Sequence, residues 1–157
     1  GYPTLLRPAE LLPLHETRLE IHRITAEDYD RYSAGLENIY RIEADQYLFK
    51  TSLGESGFGH FIACDGDQAV AAGMICMHEE VGYLYSGGTL GTHRGQGAQN
   101  ALIVARNNYA VACGCRWVSS ETLYFLEQSL SNLQRQRFEI VYDKDTYVWK
   151  SKLQVVG

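Results

Sequence analysis

The stretch Thr89-Leu90-Gly91-Thr92-His93-Arg94-Gly95-Gln96-Gly97-Ala98-Gln99 decides how this chain is read. It follows an apolar, aromatic run, Val81 to Ser86, that reads as a strand. It opens an alanine-rich run, Gln96 to Cys113, whose apolar residues recur at helical spacing. Glycines at such a junction let backbone N–H groups crowd around a ligand with no Cβ in the way. The first turn of the helix adds unpaired donors and the positive end of a dipole. Arg94 adds a permanent, forked cation. The combination suits a phosphate or pyrophosphate. A Gly-x-Gly between strand and helix is also a common tight turn, so the flanking residues must discriminate.

Two well-known phosphate loops do not fit. The nucleotide P-loop ends in Gly-Lys-Ser/Thr, whereas Gly97 is followed by Ala98-Gln99. The dinucleotide fingerprint needs a third glycine where this chain has Asn100, and it opens its domain, whereas several strands precede the loop here. A third pattern fits better. Arg94-Gly95-Gln96-Gly97-Ala98 resembles the acetyl-coenzyme A loop of the GNAT superfamily of N-acetyltransferases, written Arg/Gln-x-x-Gly-x-Gly/Ala. From Arg94 the chain matches the arginine and Gly97 and ends in Gln99; from Thr92 it matches Gly95 and Gly97 and begins with threonine. The longer string Gly88-Thr89-Leu90-x-x-His93-Arg94-Gly95-x-Gly97-x-Gln99-x-Ala101-Leu102 looks like a bacterial subgroup in which glutamine ends the motif.

The chain has 157 residues, enough for one domain with a core. Apolar content of 45% and charged content of 21% are those of a soluble globular protein. Net charge is −5 with no basic run, which argues against nucleic acid as a partner. A mildly acidic surface is compatible with a cationic amine. Cys64, Cys76, Cys113 and Cys115 form no Cys-x-x-Cys pair, so buried free thiols and a reducing cytoplasm are expected. No apolar stretch is long enough for a membrane span, and no signal peptide is visible. Pro3, Pro8 and Pro13 and five leucines mark residues 1–17 as an extended lead-in that drapes on the domain, or as a linker from a missing upstream part. Residues 18–157 are then the domain proper.

Within it, Leu19 to Ile24 alternates like a strand, and Thr25-x-x-Asp28 is a capping-box-like helix start. A helix to about Tyr40 and a shorter one over Ala44 to Thr51 follow. His60 to Cys64 and Gln68 to Met77 flank Asp65-Gly66-Asp67, a hairpin signal. The motif strand and its helix come next, and Gly114 ends the helix as a left-handed cap. Arg116 to Ser120 should run parallel to the motif strand by a right-handed crossover. Ser129 to Gln136 reads as a helix, and Phe138 to Tyr142 with Thr146 to Lys150 as a final hairpin. Pattern alone gives an α/β domain with a mixed sheet. Its order resembles the GNAT fold: a mostly antiparallel twisted sheet of six to seven strands flanked by about four helices. Ser129-x-x-Asn132-Leu133-x-Arg135-x-x-Phe138 looks like that family's late helix and strand, with Arg137 where glycine is usual.

The resemblance implies acetyl-CoA as co-substrate and an amine, of a small molecule or peptide, as acceptor. Arg94, Gly95, Gln96, Gly97, Ala98 and Gln99 would hold the pyrophosphate. Backbone groups of Thr89 and Leu90 would pair with the pantetheine arm and polarise the acetyl carbonyl, each such donor contributing about 3 kcal/mol. Asn132 would reach the same arm or simply face solvent. The family's late-helix tyrosine, which protonates the departing thiolate, is Leu133 here. Tyr124 is a candidate substitute. Glu80, beside Glu79 where the motif strand begins, is the candidate base, assisting an amine with a pKa near 10; paired glutamates in a turn are also simply solvated. The histidines make no metal-ligand spacing, so no metal is expected. A CoA-binding module with weak or no catalysis, and the C-terminal half of a longer two-part protein, stay open, as does a homodimer.

Overall fold

The computed structural model describes residues 1–149 of the chain. Strands are β1 (Tyr2–Pro8), β2 (Glu20–Ile24), β3 (Phe58–Asp65), β4 (Gln68–His78), β5 (Val81–Thr89), β6 (Trp117–Glu121) and β7 (Glu139–Lys144). Helices are α1 (Tyr29–Ile39), α2 (Glu43–Ser52), α3 (Ala98–Ala112) and α4 (Glu127–Arg135). The seven strands form one sheet in the order β2-β3-β4-β5-β6-β1-β7. Only β5 and β6 pair in parallel; every other neighbour is antiparallel. The mixed, mostly antiparallel sheet expected from the sequence is present.

Alternation along the central strands splits the core in two. On β3, Phe61 and Ala63 join a cluster with Ala98, Leu102, Ile103 and Leu133 from α3 and α4 and with Phe138, the residue before β7. Ile62 and Cys64 point the other way, to Tyr32, Leu36, Ile39 and Phe49 of α1 and α2. Central β4 is covered on both faces and is buried without a break from Ala69 to Ile75. Each fully buried large apolar side chain, such as Phe49 or Ile75, contributes about 1.5–3 kcal/mol. At the start of the α1 layer, the Thr25 N–H donates to the Asp28 carboxylate at 2.8 Å, as the capping pattern implied.

The N-terminal segment departs from expectation. Residues 2–8 are not a lead-in: β1 pairs with β6, Thr4 facing Glu121, and with β7, Thr4 facing Tyr142. A lone run with two prolines reads weakly as a strand, and both partners lie more than a hundred residues away. Pro3 and Pro8 sit near the ends of β1. The drape expected of the lead-in begins after β1. The connection to β2 must cross the sheet, and it does so along α3. Asn108 brackets Leu12, accepting from its N–H and donating to its C=O, both at 2.9 Å. Asn107 donates to Glu10 O at 2.9 Å. This strap ends at the glycine loop, where Thr17 Oγ1 donates to Gln96 O at 2.9 Å.

The final hairpin is corrected as well. β7 pairs with β1 on its inner edge, and residues 145–149 form no strand; Lys150 lies outside the described residues. Of the cysteines, Cys64 and Cys115 are buried, Cys76 is half-buried and Cys113 is exposed, all free. Among the described residues, no helix is long and apolar enough to cross a membrane.

Candidate functional site

The parallel ladder between β5 and β6 runs from Val81↔Trp117 to Leu84↔Ser120 and stops there. β5 continues to Thr89 with its β6-facing edge unpaired. A bulge in β5 accompanies this parting. Tyr85 faces Met74 and Gly88 faces Ala72, so Ser86 and Gly87 stand opposite Gly73 alone. Ser86 takes φ +48°, a left-handed conformation that costs a non-glycine residue about 1–2 kcal/mol.

Side chains fasten the carbonyls of this freed stretch. Arg106 Nη1 donates to Tyr85 O at 3.3 Å and to Met74 O at 3.0 Å. Tyr40 Oη donates to Ser86 O at 2.6 Å, and Gln99 Nε2 donates to Gly88 O at 2.9 Å. Gln99 also reaches Thr89 Oγ1 at 3.0 Å. A Cβ on Gly87 would lie 2.9 Å from Gln99 Oε1, so Gly87 makes room for the clasp. The glutamine that departs from the Gly/Ala pattern thus ties helix to strand. Leu90 donates its N–H to Val70 O at 2.8 Å and accepts from His93 N–H at 2.9 Å. Both its backbone groups are engaged. Strand alternation then turns the N–H and C=O of Thr89 toward the opened edge.

The loop beyond has the geometry of an anion cradle. A short 3-10 turn, Gly91–His93, leads to Arg94, and Gly97 caps α3 at φ +80° with no side-chain hydrogen bond on the first turn. The amides of Ala98, Gln99 and Asn100 therefore have no intrahelical partner. Arg94 is exposed and makes no ion pair among the described residues. Its neighbours are already engaged: Arg18 grips Asp65 through two hydrogen bonds of 2.9 and 3.1 Å, and His93 Nε2 sits 2.9 Å from the same carboxylate. Those contacts hold Asp65 down to about 2. Arg18 also donates to Gln96 Oε1 at 2.6 Å.

The other expected residues are scattered. Asn132 is buried under α3, its Oδ1 accepting from Asn100 Nδ2 and Gln128 Nε2, each at 2.9 Å. Its own amide nitrogen makes no hydrogen bond among the described residues. Tyr124 follows β6 at the same end of the sheet as the loop, and donates to Asp143 Oδ1 at 2.5 Å. That bond raises its phenol pKa, so the proton is held there. Leu133 is core. Glu80 lies at the opposite end of β5, exposed, 3.5 Å from Arg116. At about 3.3 Å of rise per residue it is roughly 25 Å along the strand from Gly88. The loop and Glu80 are not brought together. Sequence reading missed Arg106 and Tyr40. Arg106 was visible as a residue four after Leu102, on the inner side of its helix. A cleft lined by Glu20, His22, Arg31 and Asp67 lies elsewhere, and its polar groups pair with one another: Arg31 with Asp67 at 3.4 Å, His22 with Glu20 at 3.2 Å. Among the described residues no three His, Cys, Asp or Glu gather as metal ligands would.

No family model and no curated protein matches the chain by sequence. Solved structures do match it in fold. AAC(6')-Iy, bound to the bisubstrate analogue CoA-S-monomethyl-acetylneamine, superposes with a TM-score of 0.68 at 17% identity, covering 86% of this chain and 100% of that one. An aminoglycoside acetyltransferase from an uncultured soil metagenomic sample, in complex with sisomicin, gives 0.64 at 16%, covering 87% and 97%. A GCN5-related N-acetyltransferase from Kribbella flavida gives 0.57 at 19%, covering 77% and 48%. The chain has the fold of the GNAT acetyltransferases.

Proposed function

We propose that this protein transfers an acetyl group from acetyl-CoA to an amine of a small molecule or peptide. One observation carries the reading. The β5 edge opened beyond Leu84 runs directly into a loop of unpaired amides beside the unpaired cation Arg94. An extended polar arm ending in a pyrophosphate needs those two features joined end to end. The amides from Gly95 to Gln99 would hold the phosphates, with Arg94 supplying charge. Thr89 offers strand-like pairing to the arm, and Asn132 Nδ2 is a free donor nearby in the fold. Gln96 takes part through its backbone N–H, since its carbonyl and side chain already hold the strap. Structural neighbours bound to CoA or its analogues support this cofactor. Bound acetyl-CoA supplies an activated thioester.

The acceptor is left to the residues around the opened edge. Tyr124, at the right end of the sheet, is the stronger candidate for proton transfer; Glu80 lies at the far end of β5, away from the opened edge. A second reading, a CoA-binding module with little catalysis, is favoured by one fact: the usual acid position is Leu133, sealed in the core. Calorimetry with acetyl-CoA followed by turnover on an amine panel separates the two. Binding with acetyl transfer supports the enzyme; binding with none supports the module; no binding removes both.

A further inference from the structure

Arg106 is 3% exposed in the middle of the sheet–helix interface, an unusual place for a cation. Its donors go to backbone carbonyls alone: Nε to Leu102 O at 3.0 Å, Nη1 to Met74 O and to Tyr85 O. No carboxylate pairs with it among the described residues. Its titratable neighbours are Tyr40, from the end of α1, and Tyr85, on β5, and burial raises both phenols, Tyr85 to about 12, so neither offers a counter-charge. Burial draws Arg106 itself down to about 10, which leaves it cationic at neutral pH. Gly73 is shaped around it: a Cβ there would lie 2.6 Å from Arg106 Cζ. A buried cation with no carboxylate partner is costly, and strongly perturbed charged groups cluster at functional sites.

The place is specific. Tyr85 is the first residue of β5 beyond the ladder with β6, so the guanidinium touches the first peptide of the freed edge. We propose that Arg106, resting on the acetyl-transfer reading above, is a positioning residue that ties the bulge so its amides face the cleft and that lends its charge to the anion formed during transfer. In that step the amine nitrogen bonds to the acyl carbon, and the carbonyl oxygen becomes briefly anionic. The carbon–sulfur bond then breaks, its electron pair leaves on sulfur, and the ammonium proton passes to solvent. With Leu133 where a proton donor is usual, electrostatic stabilisation of the thiolate replaces protonation. In a low-dielectric interior an unscreened charge acts over several ångströms.

The test uses the native chain, Arg106→Met, Arg106→Lys and Tyr40→Phe. Binding of CoA is followed by calorimetry, and the thiol of bound CoA is titrated by its thiolate absorbance. Turnover is measured on the best amine. The inference expects the thiol of CoA bound to the native protein to ionise at lower pH than in free CoA. Arg106→Met should abolish that shift and lower kcat by about 100-fold while the KM for acetyl-CoA moves little. Arg106→Lys should restore most of both, and Tyr40→Phe, which frees Ser86 O, should lower kcat more mildly. Arg106→Met with native turnover overturns the inference. So does equal loss of binding and turnover with no rescue by lysine. If Arg106→Met does not fold, a bound thiol that titrates like free CoA in the native protein overturns it alone. No CoA heat with the native chain overturns the acetyl-CoA reading as well.

Discussion

At one end of β5, Glu79 and Glu80 turn the chain in solvent, and Glu80 pairs with Arg116 across the strand ends. At the other, Gly87, Gly88 and Thr89 part from β6 and meet a loop of unpaired amides. By residue type the first end holds the stronger chemistry, two carboxylates against glycines. By surroundings the order reverses. The glutamates are hydrated and screened, so their charge does little. The carboxylate nearest the glycine end, Asp65, is already held by Arg18 and His93, while the backbone donors there are fixed and unpaired. Fixed dipoles that need not reorganise are the larger catalytic resource.

Variants at the two ends sharpen this contrast. The largest effect is expected at Gly97. Gly97→Val places a branched side chain at φ +80°, 3.0 Å from His15 Nε2 before the branch is added, so the strain and the push against the strap displace the backbone amides of the cradle. Its thermal shift with acetyl-CoA should vanish, a loss of about 100-fold or more in affinity, while circular dichroism stays native. A folded Gly97→Val that binds normally breaks the comparison. Arg94→Ala should weaken CoA binding by about tenfold, more at low salt than at high, because an exposed charge on a phosphate is screened. Titration calorimetry at two salt concentrations reads it. Gln99→Ala removes the clasp on Gly88 O and Thr89 Oγ1 but leaves the amides. A loss of about threefold in acetyl-CoA affinity is expected, as for one neutral hydrogen bond. Glu80→Gln should leave kcat and KM within about twofold, since the group is exposed and far from the opening. A large fall in kcat with Glu80→Gln would restore it as the base and reverse the lesson.

Much of this end of the molecule was legible before the fold. Arg94 to Gln99 announces itself because glycines and a small-residue helix are a local pattern, read within a dozen residues. The Asp65-Gly66-Asp67 hairpin, the parallel step from β5 to β6 and the cap at Gly114, φ +84°, are local in the same sense. So is Arg137: the glycine usual there reflects a φ of +64°, which arginine adopts at a cost of about 1–2 kcal/mol. What was not legible is long-range. β1 is a strand because Glu121 and Tyr142 lie beside it, and nothing near Thr4 in sequence says so. β1 occupies the inner edge of β7, and residues 145–149 form no strand. Arg106 and Tyr40 gain their meaning only from the Tyr85–Ser86 bulge. Spacing from Leu102 puts Arg106 on the inner side of its helix, but the carbonyls it holds there come from the sheet.

The most direct measurement is a crystal structure of the protein grown with CoA. The account predicts diphosphate oxygens within hydrogen-bond reach of the amides from Gly95 to Gln99, and the pantetheine arm lying along β5 beside Thr89, in the gap past Ser120. CoA seated anywhere else, or a loop left bare at millimolar ligand, would contradict it.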